Sequence, residues 1–257
     1  SSHNGSTEQA VATNNTSPRL NTHEARRPEW LKVKVTNSKT FGDVKGMISR
    51  LSLNTVCQEA RCPNIWECWG THRTATFMIL GAVCTRACRY CSIKKGRPRN
   101  LPDTQEPEHV ADAVAELDLA HAVITSVDRD DLEDCGSNHW KETIQAIHRK
   151  MPKCRIEVLT PDFQGRLELL ENVLQAPLDI YSHNIETVPR LFPTMRRLGN
   201  YTRSLSVLSH AVTYKKQHDL ALTIKSGLMV GLGEETEEII ALMDDLRGVG
   251  VEVMTIG

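Results

Sequence analysis

Two alternating patterns of apolar positions run through the chain from residue 74 onward. Short runs of aliphatic and β-branched side chains cover 74–80, 120–127, 155–159, 178–183, 220–230 and 251–256. Between them apolar residues recur every three or four positions, as Val110/Val114/Leu117, Trp140/Ile144/Ile147, Leu167/Leu170/Leu174, Val188/Leu191/Met195, Leu205/Leu208/Val212 and Ile239/Leu242/Leu246. The runs predict buried strands, and the three-to-four spacing predicts amphipathic helices. Six strands with five intervening helices, and a sixth helix splitting the gap before the fifth strand, argue for a parallel sheet with right-handed crossovers. The fold class is therefore α/β, either a Rossmann-like sheet or a barrel.

The first 72 residues read differently. Residues 1–17 carry one charge, Glu8, among Ser, Thr, Asn and Gln, too little apolar surface to offset the entropy of ordering. We place a disordered tail at 1–25, an arm at 26–72 with a helix over 41–51, and the strand-helix domain at 73–257.

Composition removes several function classes. With 31 Lys+Arg against 32 Asp+Glu the net charge is -1, so no global field favours nucleic acid or an anionic membrane. The longest apolar stretch, 77–83, is far below the ~20 residues of a spanning helix. No secretory segment opens the chain, and the first Arg is Arg19, unlike an Arg-rich transit peptide. A cytoplasmic location is expected, with the mitochondrion as the alternative.

Six of the eight Cys fall into two triplets, Cys57/Cys62/Cys68 and Cys84/Cys88/Cys91. Odd-numbered clusters suit metal ligation in a reducing compartment better than disulfide pairing. Three thiolates at x3 and x2 spacing on one loop can bind a cluster face and leave one iron without a protein ligand. A structural zinc would favour four ligands in shorter pairs. No Gly-x-Gly-x-x-Gly follows the first strand, where a dinucleotide site needs it. The second triplet stands in its place.

Cys84-x3-Cys88-x2-Cys91 after the first strand resembles the radical S-adenosylmethionine (SAM) superfamily. The first triplet lies in a segment, Cys57-Gln58-Glu59-Ala60-Arg61-Cys62-Pro63-Asn64-Ile65-Trp66-Glu67-Cys68-Trp69, that looks like the lipoyl synthase family. The stretches 74–81, 123–131, 156–159, 183–188 and 231–234 match it as well, and the resemblance runs from about residue 27 to 257. It implies a partial (β/α)6 TIM-like barrel of the radical SAM type with an N-terminal auxiliary-cluster extension. It also implies two [4Fe-4S] clusters: a SAM-binding one on Cys84, Cys88 and Cys91, and an auxiliary sulfur donor on Cys57, Cys62 and Cys68. The implied reaction is insertion of two sulfur atoms at C6 and C8 of an octanoyl group carried by a lipoyl carrier domain or H-protein. Such C–H bonds do not yield to acid-base chemistry, so a radical cofactor and a low-potential electron donor are expected. The competing readings are a non-catalytic iron-sulfur or zinc-binding fragment, and a sulfur-inserting enzyme of biotin synthase type, against which the first triplet's spacing argues.

Two departures stand out. The family closes with an Arg-Ser-Ser-Tyr segment whose Ser is the fourth auxiliary-cluster ligand; none occurs before Gly257, so the chain is expected to be cut short, with reduced turnover. The family's Asp-Gly-Gly is Asp134-Cys135-Gly136 here, which puts the tight turn in doubt, since Cys tolerates positive φ poorly.

Other residues follow from position. Tyr90 matches the superfamily's adenine-facing aromatic. Thr125, Glu157, Asn184, Glu186, Lys225 and Ser226 lie at or near strand ends, where α/β barrels carry their chemistry, and are candidate SAM contacts. Glu234, Glu235, Glu237 and Glu238 read as a structural acidic helix start, and His183 as a packing residue. Arg86, Arg89, Lys94, Lys95, Arg97 and Arg99 read as a solvated basic loop with docking of an acidic carrier as the alternative. Cys135 and Cys154 read as incidental thiols.

Overall fold

The computed structural model describes Gly46, Arg50, residues 53–55, Cys68 and residues 73–257. The proposed tail, most of the arm, Cys57 and Cys62 lie outside the described residues; Gly46 and Arg50, inside the helix expected over 41–51, are helical.

In chain order the strands are β1 (Asn54–Thr55), β2 (Thr74–Ile79), β3 (Val83–Cys84), β4 (Lys94–Lys95), β5 (His121–Ser126), β6 (Arg155–Leu159), β7 (Ile180–Ser182), β8 (Thr223–Leu228) and β9 (Val253–Ile256). The helices are α1 (Glu106–Glu116), α2 (Ser137–Lys150), α3 (Leu167–Leu174), α4 (Phe192–Met195), α5 (Tyr201–Gln217) and α6 (Thr236–Gly248). One sheet runs β1-β2-β5-β6-β7-β8-β9, parallel throughout except for β1, which lies antiparallel on the β2 edge. All six strands expected from the apolar runs are present and neighbour each other in chain order. This is the open (β/α)6 arrangement of a partial barrel, with β9 at the edge away from β1.

The pairing register carries the strands upward in step: Thr74 faces His121, His121 faces Arg155, Glu157 faces Ile180, and Lys225 faces Val253. Phe77, Ile79, Ile124, Ile156, Val158 and Ile224 are buried, as are Val110 and Val114 of α1 and Trp140, Ile144 and Ile147 of α2. The core lies between the sheet and the helix layer, and the carboxyl ends of the strands remain open for chemistry.

Three details depart from the expectation. The spacing Val188/Leu191/Met195 does not make one helix: Pro189–Leu191 form a 3-10 turn and Phe192–Met195 a single α turn, with Pro189 and Pro193 removing backbone donors. The 134–136 turn does form. Cys135 adopts φ 49° and Gly136 φ 83°, and the Asp134 carboxylate accepts the N–H groups of Gly136 and Asn138. The left-handed conformation, a cost of about 1–2 kcal/mol for a side chain with a Cβ, is offset by that cap and by burial of the thiol. The paired β3 and β4 carried no periodic signal, being two residues each.

The acidic start of α6 is structural, as expected. Glu235 and Glu238 form a reciprocal capping box, and Glu238 also pairs with Arg190 at 2.8 Å.

Candidate active site

Cys84 ends β3, and the loop from there to β4 carries Cys88 and Cys91. This loop is tied to the barrel top by backbone bonds. Thr85 N donates to Asp128 O at 3.0 Å, Arg89 N to Met195 O at 2.9 Å, and Gly96 N to Cys84 O at 2.9 Å. The three thiols border one cavity of about 390 Å³, together with Tyr90, Thr125, Asp128, Asn184, Glu186 and Arg196. None of the three is in a disulfide.

Among the described residues no three His, Cys, Asp or Glu side chains come close enough together for a single metal ion. A [4Fe-4S] cluster takes one thiolate per iron, so its ligands stand apart around a cube. Cys84, Cys88 and Cys91, half-buried on one loop and facing one cavity, fit that donor set. Burial and the neighbouring Asp128 carboxylate push the Cys84 thiol up to about 12, and burial raises Cys88 as well. Thiols this reluctant to ionise in isolation need a cation to hold them as thiolates. The backbone N–H of Asp128 points at Cys84 Sγ from 3.3 Å, a donor suited to a ligating sulfur.

Asn184 and Glu186 follow β7 on a segment that rests on β8, with Glu186 N donating to Gly227 O at 3.0 Å. Glu186 holds φ 70°, an uncommon conformation for a residue with a side chain. Burial pushes its carboxyl above the ordinary carboxylate range. Tyr90 is half-buried beside Cys88, and burial raises its phenol.

Three of the expected SAM contacts sit elsewhere. Glu157, Lys225 and Ser226 do not border the cavity. Lys225 Nζ donates to Glu157 Oε1 at 2.8 Å, Ser182 Oγ donates to the same oxygen at 3.2 Å, and His121 Nε2 is 3.3 Å from Oε2. Burial alone would raise the Glu157 carboxyl, but His121 and Lys225 outweigh it and hold it at about 2. Ser226 Oγ donates to His183 O and accepts from Ile185 N, which fixes the segment leading to Asn184. Cys68 is helical and packs against the core.

The basic loop needs a correction. Arg89, Lys94, Lys95, Arg97 and Arg99 are exposed, whereas Arg86 is buried at 3% exposure and ion-paired. Its Nε and Nη2 donate to Asp130 at 2.8 and 2.9 Å, and Nη2 donates to Asp162 at 2.6 Å. Sequence reading also missed Arg196. It is buried, stacks on the Phe192 ring at 5.7 Å, and donates through Nη1 to Asn184 O at 2.7 Å. Nothing in local spacing separates it from the exposed Arg197 next to it. His183 is fully buried between Thr160 O and Ser204 Oγ, a packing group as expected.

A model of the radical SAM superfamily matches residues 78–246, and a model of the N-terminal domain of lipoyl synthase matches residues 2–62. A lipoyl synthase of Rubrobacter xylanophilus is 53% identical over 231 residues, covering 90% of this chain and 70% of that protein. The chain belongs to the lipoyl synthase family. A second lipoyl synthase, from Roseiflexus sp., is 50% identical over 238 residues, 93% of this chain and 77% of its own length. Among solved structures, that of a methylornithine synthase (PylB) superposes with a TM-score of 0.55 at 12% identity, over 88% of this chain and 64% of the other. At that identity the likeness speaks for the fold alone. Membership in the lipoyl synthase family makes the chain a radical SAM sulfur-inserting enzyme that uses SAM and an iron-sulfur cluster.

Proposed function

We propose that this chain inserts two sulfur atoms, at C6 and C8, into an octanoyl group borne on a lipoyl carrier domain or H-protein. In this reading Cys84, Cys88 and Cys91 hold the SAM-binding [4Fe-4S] cluster, and Cys57, Cys62 and Cys68 hold a second one that donates sulfur. The observation that carries the first assignment is the convergence of three thiols and the Asn184/Glu186 segment on one cavity. Support for the second is the spacing of the first triplet. When bound, the SAM-site cluster supplies the electron for reductive cleavage of SAM, chemistry that makes a radical able to take hydrogen from an unactivated C–H bond.

The chain's own residues bind and orient. Asn184 and Glu186 present an amide and a carboxyl where a ribose can be held, and Tyr90 offers an aromatic face for adenine. Arg196, a buried cation at the cavity, hydrogen-bonds a carbonyl and a hydroxyl and stacks on a ring, and it stands near enough to Glu186 and Asp128 to favour their charged forms. Its charge is suited to the carboxylate of the SAM methionyl group. Met78, Val127, Leu159 and Met229 provide apolar wall that keeps water from a reactive intermediate. Among the described residues no helix is long and apolar enough to cross a membrane, and we place the enzyme in the cytoplasm, supplied by a low-potential electron donor.

The test is anaerobic reconstitution followed by iron and sulfide analysis, with about eight irons expected for two clusters. Changing Cys84, Cys88 or Cys91 to Ala should abolish 5'-deoxyadenosine formation. Changing Cys57, Cys62 or Cys68 should preserve it while ending lipoyl formation, read by mass spectrometry of the carrier. Zinc without iron would establish the non-catalytic alternative, and equal loss of cleavage in both folded mutant sets would remove the division of roles.

A further inference from the structure

Arg86 lies inside the Cys84/Cys88/Cys91 motif, yet its side chain turns away from solvent into a knot of carboxylates. Asp128 and Asp130 come from the loop after β5, and Asp162 from the loop after β6. Arg86 Nε stands 2.8 Å from Asp130 and 3.3 Å from Asp128, and Nη2 stands 2.6 Å from Asp162. Asp162 is fully buried and takes a second cation, Arg203, at 3.3 Å. Thr85 completes the tie, its Oγ1 donating to Asp128 O and accepting from Asp130 N.

The same Asp128 touches the cluster ligand twice. Its N–H donates to Cys84 Sγ at 3.3 Å, and its Oδ2 lies 3.6 Å from that sulfur. A carboxylate this close to a ligating thiolate opposes addition of an electron to the cluster, and a compensating cation relieves that opposition. Arg86 is that cation. It lines the cavity, and among the described residues its buried Nη1 has no hydrogen-bond partner. Burial works against its charge, but Asp130, Asp128 and Asp162 outweigh that and keep it protonated.

We propose that Arg86 is a positioning residue whose charge, held in the Asp128/Asp130/Asp162 knot, sets how readily the cluster on Cys84, Cys88 and Cys91 is reduced. The inference rests on the reading that those thiolates hold a [4Fe-4S] cluster. Its mechanism is outer-shell control of a bound metal group: the knot fixes the Asp128 N–H on the sulfur and balances the Asp128 carboxylate.

Charge and scaffolding make different predictions for two substitutions. Arg86→Gln removes a positive charge and Asp130→Asn a negative one, so the midpoint potential should become more negative in the first and less negative in the second. Arg86→Lys, which keeps the charge without the fork, should stay near the parent potential. A purely structural knot would lose iron in all three and shift the potential of the remaining cluster in none.

The measurement is an EPR-monitored redox titration, without SAM, in full-length protein carrying Cys57→Ala, Cys62→Ala and Cys68→Ala, so that one cluster is read. The parent in that background should hold about four irons. If it holds none, the cluster reading falls and this inference with it. If it holds them and Arg86→Gln and Asp130→Asn shift in the same direction, or not at all, the inference alone is overturned. Should Arg86→Gln fail to fold, the sign of the Asp130→Asn shift decides.

Discussion

A Cβ placed on Gly227 would stand 2.8 Å from Asn184 Oδ1 and 2.7 Å from Thr255 Oγ1, closer than such atoms approach. Strand β8 therefore has no side chain at the point where the Asn184–Glu186 segment crosses it. The same residue's carbonyl accepts the Glu186 N–H. One glycine thus lets the carboxyl end of β7 lie on β8 and present two polar groups to the cavity.

Gly227→Ala should displace Asn184 and push on Thr255 of the edge strand β9 while leaving β2 to β8 in place. Overpacking of this kind costs about 1–3 kcal/mol. Equilibrium dialysis of reconstituted protein should show SAM affinity reduced by about tenfold, each ~1.4 kcal/mol being a factor of ten. Unchanged affinity would mean that Asn184 is not a SAM contact.

Lys225→Met should destabilise the fold through Glu157. The carboxylate would stay buried with His121 and Ser182 as its remaining partners, and loss of one hydrogen bond to a charged group costs about 1.5–3 kcal/mol. Glu157 is held at about 2 in the native protein, so its contribution is full above the ordinary carboxylate pKa and is lost as pH falls toward 2. In the variant the folded carboxyl is held less far down, so that loss should begin at the same pH, be smaller in total and be complete at higher pH. Denaturant unfolding at pH 7 and pH 4 reads both effects, and parallel curves for the two proteins would contradict the pairing.

Acid should weaken the fold through His183. Its Nδ1–H donates to Thr160 O and its Nε2 accepts from Ser204 Oγ–H, an arrangement that needs the neutral ring. Burial, chiefly, lowers its pKa to about 4. Between about 4 and the ordinary 6.5 the unfolded chain binds the proton more readily, so stability falls as pH drops through that window, by about 3 kcal/mol. His183→Gln, less stable at pH 7, should lose most of this slope. Equal pH slopes in the two proteins would show that His183 already titrates normally.

Arg196→Leu should weaken SAM binding by about tenfold or more, since a charge-assisted contact to a carboxylate would go. Arg196→Lys should recover part of it, because a point charge replaces the fork. Calorimetric titration with SAM, and with S-adenosylhomocysteine as a ligand keeping the carboxylate, should show parallel losses. An Arg196→Leu protein binding both as tightly as the parent would remove the residue from the site.

The strand and helix order was legible in the chain because buried strands and amphipathic helices impose local apolar periods, and the cysteine motif because cluster ligation fixes spacing within one loop. The Val188/Leu191/Met195 spacing predicted a helix that does not form as one piece, because Pro189 and Pro193 break it into a 3-10 turn and a single α turn. Burial of a charge has no such local signature. Arg86 and Arg89 are three residues apart in the same basic run, yet one is buried among three carboxylates and the other is exposed. Asp128, Asp130 and Asp162 lie 42 to 76 positions along the chain from Arg86 and reach it only after β5 and β6 have paired. Likewise Glu157 and Lys225, each at a plausible strand position, turned out to satisfy one another, because the register across β7 sets Glu157 level with Thr223 and Lys225, two residues further on, reaches back to it. Sequence alone determined which chemistry this chain can carry; which charges remain available for it was decided by tertiary pairing, since a charge removed from water is held by whichever opposite charge the fold brings within reach.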